Sequence, residues 1–408
     1  MINYWPLKFL KSSVQRRQTV AGLQRLRGLI RDKMPERDLR STLLLGTWNI
    51  RNFDDNRFGD GPRRTESLFY IAEVISAFDI VAIQEITRDL SRLRQVMTLL
   101  GPNYDLIATD ITEGPSGNEE RLAFIYDRNT VWFRDIAGEI VLPFKRQISD
   151  VTKRRQFART PFTCAFQSGW FKFVLSTVHV YYGKQSKKSN EYKRRVKEIE
   201  GVAKFLKKRA DKEKDNYILV GDFNIDKPGD PTFNALKDQG FSLFQNKTGS
   251  NRKKTKHYDQ ISWLPSEPGL RQTVGERKQG VLDLFSVVFK EDEFGRYKKA
   301  VTATLNRKLT AAKTALKTAK EKSSAKKIKS AEKRVANFDA ILADQEQVKK
   351  YYVNTWRTFQ ISDHLPLWVQ LDTDFSAPYL DSLAEGTFTI EDDGRDDSLA
   401  ISLRSGAQ

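Results

Sequence analysis

The sequence predicts a mixed α/β domain interrupted by an α-helical hairpin, and three observations predict it. From Leu43 to Leu371, short β-rich runs alternate with stretches of helical periodicity. Nearly every polar residue of chemical interest falls at the end of one of those runs, the placement expected of a site built from loops at a sheet edge. Segment 298–350 holds fifteen Lys/Arg against five Asp/Glu and neither Gly nor Pro, so it should be helical throughout.

At 408 residues, 39% of them hydrophobic and 30% charged, the chain is long and apolar enough for a full enzyme and is not disordered throughout. The single cysteine, Cys164, cannot form an intrachain disulfide, which points to a cytoplasmic protein. No run approaches the about 18 apolar residues of a spanning helix, and the N-terminus lacks a secretory signal. A formal charge of +18 favours polyanionic partners, nucleic acid and anionic lipid surfaces alike.

In chain order, residues 1–40 form a basic N-terminal helical extension. Residues 1–31 carry seven Lys/Arg and no Asp/Glu, with Val14, Val20, Leu23, Leu26, Leu29 and Ile30 at helical spacing. A helix packed on the domain, a membrane-surface helix and a transit peptide all fit that pattern. The main domain spans 41–372. Its strand candidates are Leu43 to Ile50, Asp79 to Gln84, Arg121 to Tyr126, Thr160 to Phe166, Phe171 to Val180, Tyr217 to Gly221, Tyr258 to Leu264 and Leu365 to Leu371. Within segment 298–350, apolar positions run Leu305, Leu309, Ala312, Leu316, Ala319 and, after Ser323-Ser324, Ile328, Ala331, Val335, Phe338, Leu342. That four-three spacing in two arms predicts an antiparallel hairpin turning at the serines. The tail, 373–408, is acidic around Glu391-Asp392-Asp393 and Asp396-Asp397 and is expected to be flexible.

Six strings carry the chemistry: Thr47-Trp48-Asn49-Ile50-Arg51, Ile83-Gln84-Glu85, Thr177-Val178-His179, Gly221-Asp222-Phe223-Asn224, Tyr258-Asp259 and Ser362-Asp363-His364. Each sets an oxygen or nitrogen ligand directly after apolar strand residues. Mg²⁺ prefers carboxylate, amide and water oxygens, and Asn, Glu and Asp converging from separate strand ends suit it. Zinc is disfavoured, because the one cysteine is mid-strand and no two of the three histidines have ligand spacing. His179 and His364 end probable strands beside acidic motifs, where a carboxylate would orient the ring and raise its pKa for acid-base work.

The order of these motifs resembles the endonuclease/exonuclease/phosphatase superfamily, and in detail its deoxyribonuclease I-like branch: WNIRNF at 48–53, QE at 84–85, TVHV at 177–180, GDFNID at 221–226 and ISDHLPL at 361–367. The resemblance covers Leu43 to Leu371 apart from the hairpin. It implies a four-layer α/β/β/α sandwich of two packed mixed β-sheets and a phosphodiesterase dependent on Mg²⁺ or Mn²⁺.

Residue by residue, the resemblance implies that Asn49, Glu85 and Asp363 hold the metal. Asp222 and Asn224 would contact the phosphate and attacking water. His364 would be the general base, oriented by Asp259, and His179 would serve the leaving oxygen, paired with Glu120 or, in a slipped register, Glu119. Arg159, two positions before a proline, would lie near the phosphate. Two departures stand out: the disulfides of secreted deoxyribonucleases are absent, and their minor-groove arginine is replaced by Thr87. Adjacent Arg88 is a candidate substitute, with Arg51 a further candidate for substrate binding.

The first expectation is therefore a metal-dependent endonuclease on double-stranded DNA, with the Lys-rich hairpin either a substrate clamp or a packing or oligomerisation arm. A phospholipid or inositol-phosphate hydrolase at an acidic membrane is the alternative, and a degenerate nucleic-acid-binding protein the third reading.

Overall fold

In the computed structural model, which describes residues 2–113, 117–144, 147–148, 156–213, 215–264 and 278–385, the strands in chain order are β1 (Thr42–Phe53), β2 (Ile80–Ile86), β3 (Tyr104–Ala108), β4 (Arg121–Asp127), β5 (Trp132–Glu139), β6 (Phe162–Ser168), β7 (Phe171–His179), β8 (Asn216–Asp222), β9 (Ser242–Leu243), β10 (Asp259–Trp263), β11 (Gln279–Val281) and β12 (Leu367–Asp372). They form two six-stranded mixed sheets, ordered β11-β12-β1-β2-β4-β3 and β5-β6-β7-β8-β10-β9. Each sheet is centred on a parallel pair, β1 with β2 and β7 with β8, flanked by antiparallel neighbours. The sheets face each other through aromatic side chains, Phe124 stacking on Phe162 with centroids 5.4 Å apart and meeting Phe166 edge-on at 5.6 Å.

The outer face of the first sheet is covered by α1 (Ser13–Lys33), α2 (Thr65–Ile75) and α3 (Ser91–Leu100); that of the second by α4 (Asn190–Glu213) and α5 (Pro231–Lys237). Among the described residues no helix is long and apolar enough to cross a membrane. Leu23 and Leu26 of α1 are buried, while Val14 remains exposed. Gly22 lets α1 lie directly on the Tyr70 ring of α2, because an added Cβ would run into that ring.

The insertion forms α6 (Phe294–Glu321) and α7 (Ala325–Ala343), turning at Lys322–Ser324 with Ser323 in the left-handed region at φ 48°. The return arm holds its predicted apolar positions, Ile328 to Leu342, in one helix, α7, and is interrupted only beyond them. It breaks at Asp344, whose carboxylate caps α8 (Gln345–Tyr351) by accepting from Glu346 N at 2.8 Å. A π-helical turn, Tyr352–Trp356, and α9 (Arg357–Gln360) then lead back to the sheet. Phe294, Tyr297, Val301, Leu305, Val348, Tyr352 and Trp356 of the root join the main core. Toward the tip, Leu309, Leu316, Ile328 and Val335 are only partly buried, as a pair of helices without a third partner requires.

Residues 1–373 form one compact unit and 374–408 another. In the latter, α10 (Ser376–Ala384) starts beside Asp374, whose carboxylate accepts from Ser376 N at 2.9 Å. The acidic cluster at 391–397 lies outside the described residues.

Candidate active site

Strand direction explains why the polar strings converge. The C-terminal ends of parallel β1, β2, β7 and β8 share an edge with the N-terminal starts of antiparallel β10 and β12, so residues following the former meet residues preceding the latter. In the second sheet the register sets Asp222 opposite both His179 and Asp259. Gln84 donates to Thr47 Oγ1 of its own sheet at 3.1 Å and, across the sheets, to Thr177 Oγ1 at 3.0 Å, fixing the two halves against one another just behind the edge.

The backbone is shaped for this edge. Asn52, Glu85 and Asn224 occupy the left-handed region with φ of 45°, 61° and 54°, a conformation non-glycine residues hold only when their surroundings enforce it. Gly221, at φ 128°, lies so close to the Val178 main chain that a Cβ would collide with it, so the residue before Asp222 must be glycine.

Asp222 is the centre of the constellation. Its Oδ1 accepts from Asn224 N at 2.9 Å, and its Oδ2 accepts from Asn49 Nδ2 at 3.0 Å. The same Oδ2 stands 3.6 Å from His179 Nε2 and 3.7 Å from His364 Nε2. Burial chiefly raises its pKa, opposed by His364 and reinforced by Asp259.

Each histidine has its own carboxylate behind it. His364 Nδ1 is hydrogen-bonded to Asp259 Oδ2 at 2.8 Å. Burial disfavours the His364 cation, but Asp259 and Asp222 outweigh it and raise the pKa well above 6.5. His179 Nδ1 lies 2.8 Å from Glu120 Oε2, a close charge contact out of line for a hydrogen bond. Its pKa is also raised, Glu120 and Asp222 overcoming burial and the nearby Arg159. Arg159 grips the same carboxylate from the other side, Nε 2.6 Å from Oε2 and Nη2 3.2 Å from Oε1. Burial resists ionisation of Glu120, yet His179 and Arg159 together bring it down to about 2. Glu119 points elsewhere, exposed and 3.6 Å from Arg88.

Beside this relay, Asn49 Nδ2 donates to Glu85 Oε1 at 2.9 Å, and Glu85 Oε2 accepts from Asn52 N at 2.8 Å. Asn49 Oδ1 is buried and has no partner among the described residues, an acceptor next to a carboxylate, which is the arrangement a hard divalent cation satisfies. A second cation-like grouping is Asp222, Asp259 and His364, with one ligand atom of each within 4.8 Å of the others. The hydrogen bond between Asp259 and His364 makes that group a charge relay first. Asp363 is partly exposed; its carbonyl accepts from Arg252 N at 2.8 Å, and no hydrogen bond or ion pair of its carboxylate occurs among the described residues.

Arg51 turns to the insertion, donating to Thr358 Oγ1 and, at 3.4 Å, to Thr355 O. Arg88 is exposed and stands clear of the buried cluster.

Several supporting residues are given no role by the sequence, Ser362 although it opens one of the six strings, Arg195 and Arg63 because nothing marks them there. Ser362 joins the strands that hold Asn49 and His364, its hydroxyl donating to Asn49 O at 2.6 Å and accepting from His364 N at 2.9 Å. Arg195, buried in α4 within a Lys/Arg run, donates to Tyr181 O at 3.1 Å and Asn224 O at 3.0 Å, tying the loop after β7 to the loop after β8. Arg63, also buried, donates to Asp54 at 2.7 Å and Asn52 O at 3.2 Å behind the Asn49–Glu85 pair.

The Endonuclease/Exonuclease/phosphatase family model matches residues 46–364. The chain belongs to this family. Members of the Endonuclease/Exonuclease/phosphatase family are hydrolases of phosphoester bonds, typically dependent on a divalent metal. Among solved structures, the chain is similar to an endonuclease/exonuclease/phosphatase family protein from Bacteroides thetaiotaomicron, at 17% identity over 82% of this chain and 96% of that one, TM-score 0.46. It is also similar to mannosyl-6-phosphatase Bt3783 of Bacteroides thetaiotaomicron VPI-5482 (20% identity, 57% and 92% covered, TM-score 0.42). A third is D. rerio TDP2 complexed with single strand DNA product (13%, 60% and 91%, TM-score 0.41). No curated protein matches the chain.

Proposed function

We propose that this protein is a phosphodiesterase of the deoxyribonuclease I-like type that hydrolyses DNA, with Mg²⁺ or Mn²⁺ as its metal. The observation that supports the chemistry is the pair of buried histidines, each backed by its own carboxylate, whose Nε2 atoms both face Asp222 Oδ2. Asp259 holds His364 with Nε2 toward the cleft, where in its neutral form it takes the proton from an attacking water, so activity should rise as pH climbs through its raised folded pKa. Glu120 and Asp222 favour the protonated form of His179, whose Nε2 hands a proton to the leaving oxygen. Asp222 and Asn224 align water and phosphate between them, and Arg159 anchors Glu120 and thereby His179. Asn49 and Glu85, with Asp363 as a further candidate, would hold the cation, which supplies positive charge to the phosphate oxygens as charge builds there.

DNA is favoured by charge: the chain carries +18 overall, and its insertion has fifteen basic residues against five acidic ones. One observation favours a phospholipid or inositol phosphate instead. Trp5 and Phe9, each 61% exposed, flank Lys8 on the basic N-terminal segment, a composition suited to an anionic membrane surface. The deciding test incubates the protein with supercoiled plasmid in Mg²⁺ or Mn²⁺, with EDTA and His364→Ala as controls. Nicking that requires both metal and His364 is expected. Intact plasmid and RNA alongside hydrolysis of a phospholipid or inositol phosphate would move the assignment to the membrane substrate.

A further inference from the structure

Beside His364 the cleft has an aromatic wall that the hydrolytic machinery does not use. Tyr258, directly before Asp259, lies against the His364 ring with centroids 5.7 Å apart and planes inclined 34°. Tyr182, three residues after His179, meets Tyr258 edge-on at 6.2 Å and 90°. The Arg195 guanidinium lies 5.2 Å from the Tyr182 centroid, and the Gln185 carboxamide 2.6 Å from its hydroxyl. The ring is thus held in place while 45% of the residue remains in solvent.

We propose that Tyr182, braced by Tyr258 and Arg195, is a stacking subsite for the nucleobase of a nucleotide adjoining the scissile phosphate. The inference rests on the nucleic-acid reading above and adds to it a specific contact beyond the phosphate. Tyr258 is partly buried and serves as the prop; Tyr182 supplies the free face. Stacking is tolerant of base identity because every base presents a π-face, and a cation behind the tyrosine ring adds to its grip. At the rim each lysine is paired with a carboxylate, Lys256 with Asp226 at 2.9 Å and Lys187 with Asp230 at 2.6 Å, so the contact proposed for Tyr182 is one of stacking and not of charge.

A Tyr182→Ala protein, with Tyr182→Phe and Tyr182→Trp alongside, is assayed on single-stranded oligonucleotides labelled around one cleaved bond. A matched oligonucleotide carries a tetrahydrofuran abasic residue at the adjoining position. Loss of the ring raises KM for the intact oligonucleotide by about 5- to 150-fold, the range stacking platforms lose on alanine substitution. Phe and Trp restore it. The abasic substrate suffers the same penalty with the wild-type protein and little more with Tyr182→Ala, because the stack is already gone. Equal losses on intact and abasic substrates would make Tyr182 a structural prop and overturn the subsite, as would an unchanged KM. A wild-type protein that cleaves neither oligonucleotide but nicks supercoiled plasmid would overturn the subsite alone; one that cleaves neither and leaves plasmid intact while hydrolysing another phosphoester would overturn the nucleic-acid reading with it.

Discussion

Replacing Glu120 by glutamine removes the one negative charge between two buried cations, and the consequence can be worked from the contacts. Arg159 Nε is 2.6 Å and His179 Nδ1 2.8 Å from the same Oε2. A carboxyl held at about 2 against an ordinary 4.5 corresponds to about 3 kcal/mol of folding stability. Breaking a buried ion pair from one side gives an independent figure of about 3–5 kcal/mol. Because the folded pKa of Glu120 is depressed, its contribution is complete above pH 4.5 and is lost as pH falls toward 2. Because that of His179 is raised, its share of the same interaction is complete below pH 6.5 and is lost as pH climbs through the folded value. Urea unfolding should therefore show the largest wild-type advantage between those limits, about 3 kcal/mol at pH 5.5, and little of it at pH 2. In the variant burial and Arg159 still lower His179 while Asp222 alone still raises it, so its titration by proton NMR should move down from the wild-type position. Activity at pH 7 should drop by about 10²- to 10⁴-fold as the acid is lost. An advantage under about 1 kcal/mol at pH 5.5, the worth of an exposed ion pair, would refute the reasoning. So would a His179 whose titration does not move down in the variant.

Three further outcomes are expected. Asn49→Ala and Glu85→Gln should each weaken Mn²⁺ binding, read by calorimetry, by more than the about 10- to 100-fold that removal of an outer-shell partner costs; loss of binding in His364→Ala instead would place the cation in the Asp222–Asp259–His364 group. Two glycines of α1 should respond with opposite sign in thermal melts: Gly22→Leu destabilises by about 1–3 kcal/mol against the Tyr70 ring, whereas Gly28→Ala, with nothing within 4 Å of its Cβ, stabilises by about 0.5–1 kcal/mol. If the hairpin clamps duplex DNA, changing Lys317, Lys320, Lys327 and Lys333 to glutamine should flatten the salt dependence of binding by about 0.9 logarithmic units for each phosphate no longer neutralised. An unchanged slope with altered light-scattering mass would make it an oligomerisation arm.

The central strands are legible because β1, β2, β7, β8 and β12 are long apolar runs, and the residues that end them needed only strand direction to be brought together. The outer strands are not. In β5 only Phe133 and Arg134 are shielded from solvent even in part, so burial imposes no alternation for a pattern to reveal. β3 and β11 are short and partly exposed for the same reason. The hairpin turn is written in Ser323-Ser324, but the break at Asp344 depends on a local cap that apolar spacing does not reveal. Glu120 and Glu119 cannot be separated by sequence, since adjacent residues differ only in which way the entry to β4 turns. Pairs such as Arg252 with Asn354, 2.7 Å apart and separated by 102 positions, leave no trace in either neighbourhood.

The feet of the insertion carry a consequence for how this chain can change. Lys308 pairs with Asp60 at 2.5 Å, Tyr351 donates to the same Asp60, and Arg307 donates to Gly61 O at 2.9 Å. Both arms thus clasp the loop that runs from Asn52 past Arg63, immediately behind Asn49 and Glu85. Beyond Ala312, among the described residues, the main packing of each arm is against the other. The outer part can therefore be lengthened, shortened or re-charged as an adaptable module while the clasp is left alone. Excising the whole segment would instead unfasten the floor of the cleft, so a graft of this arm onto another scaffold would have to bring its receiving loop with it.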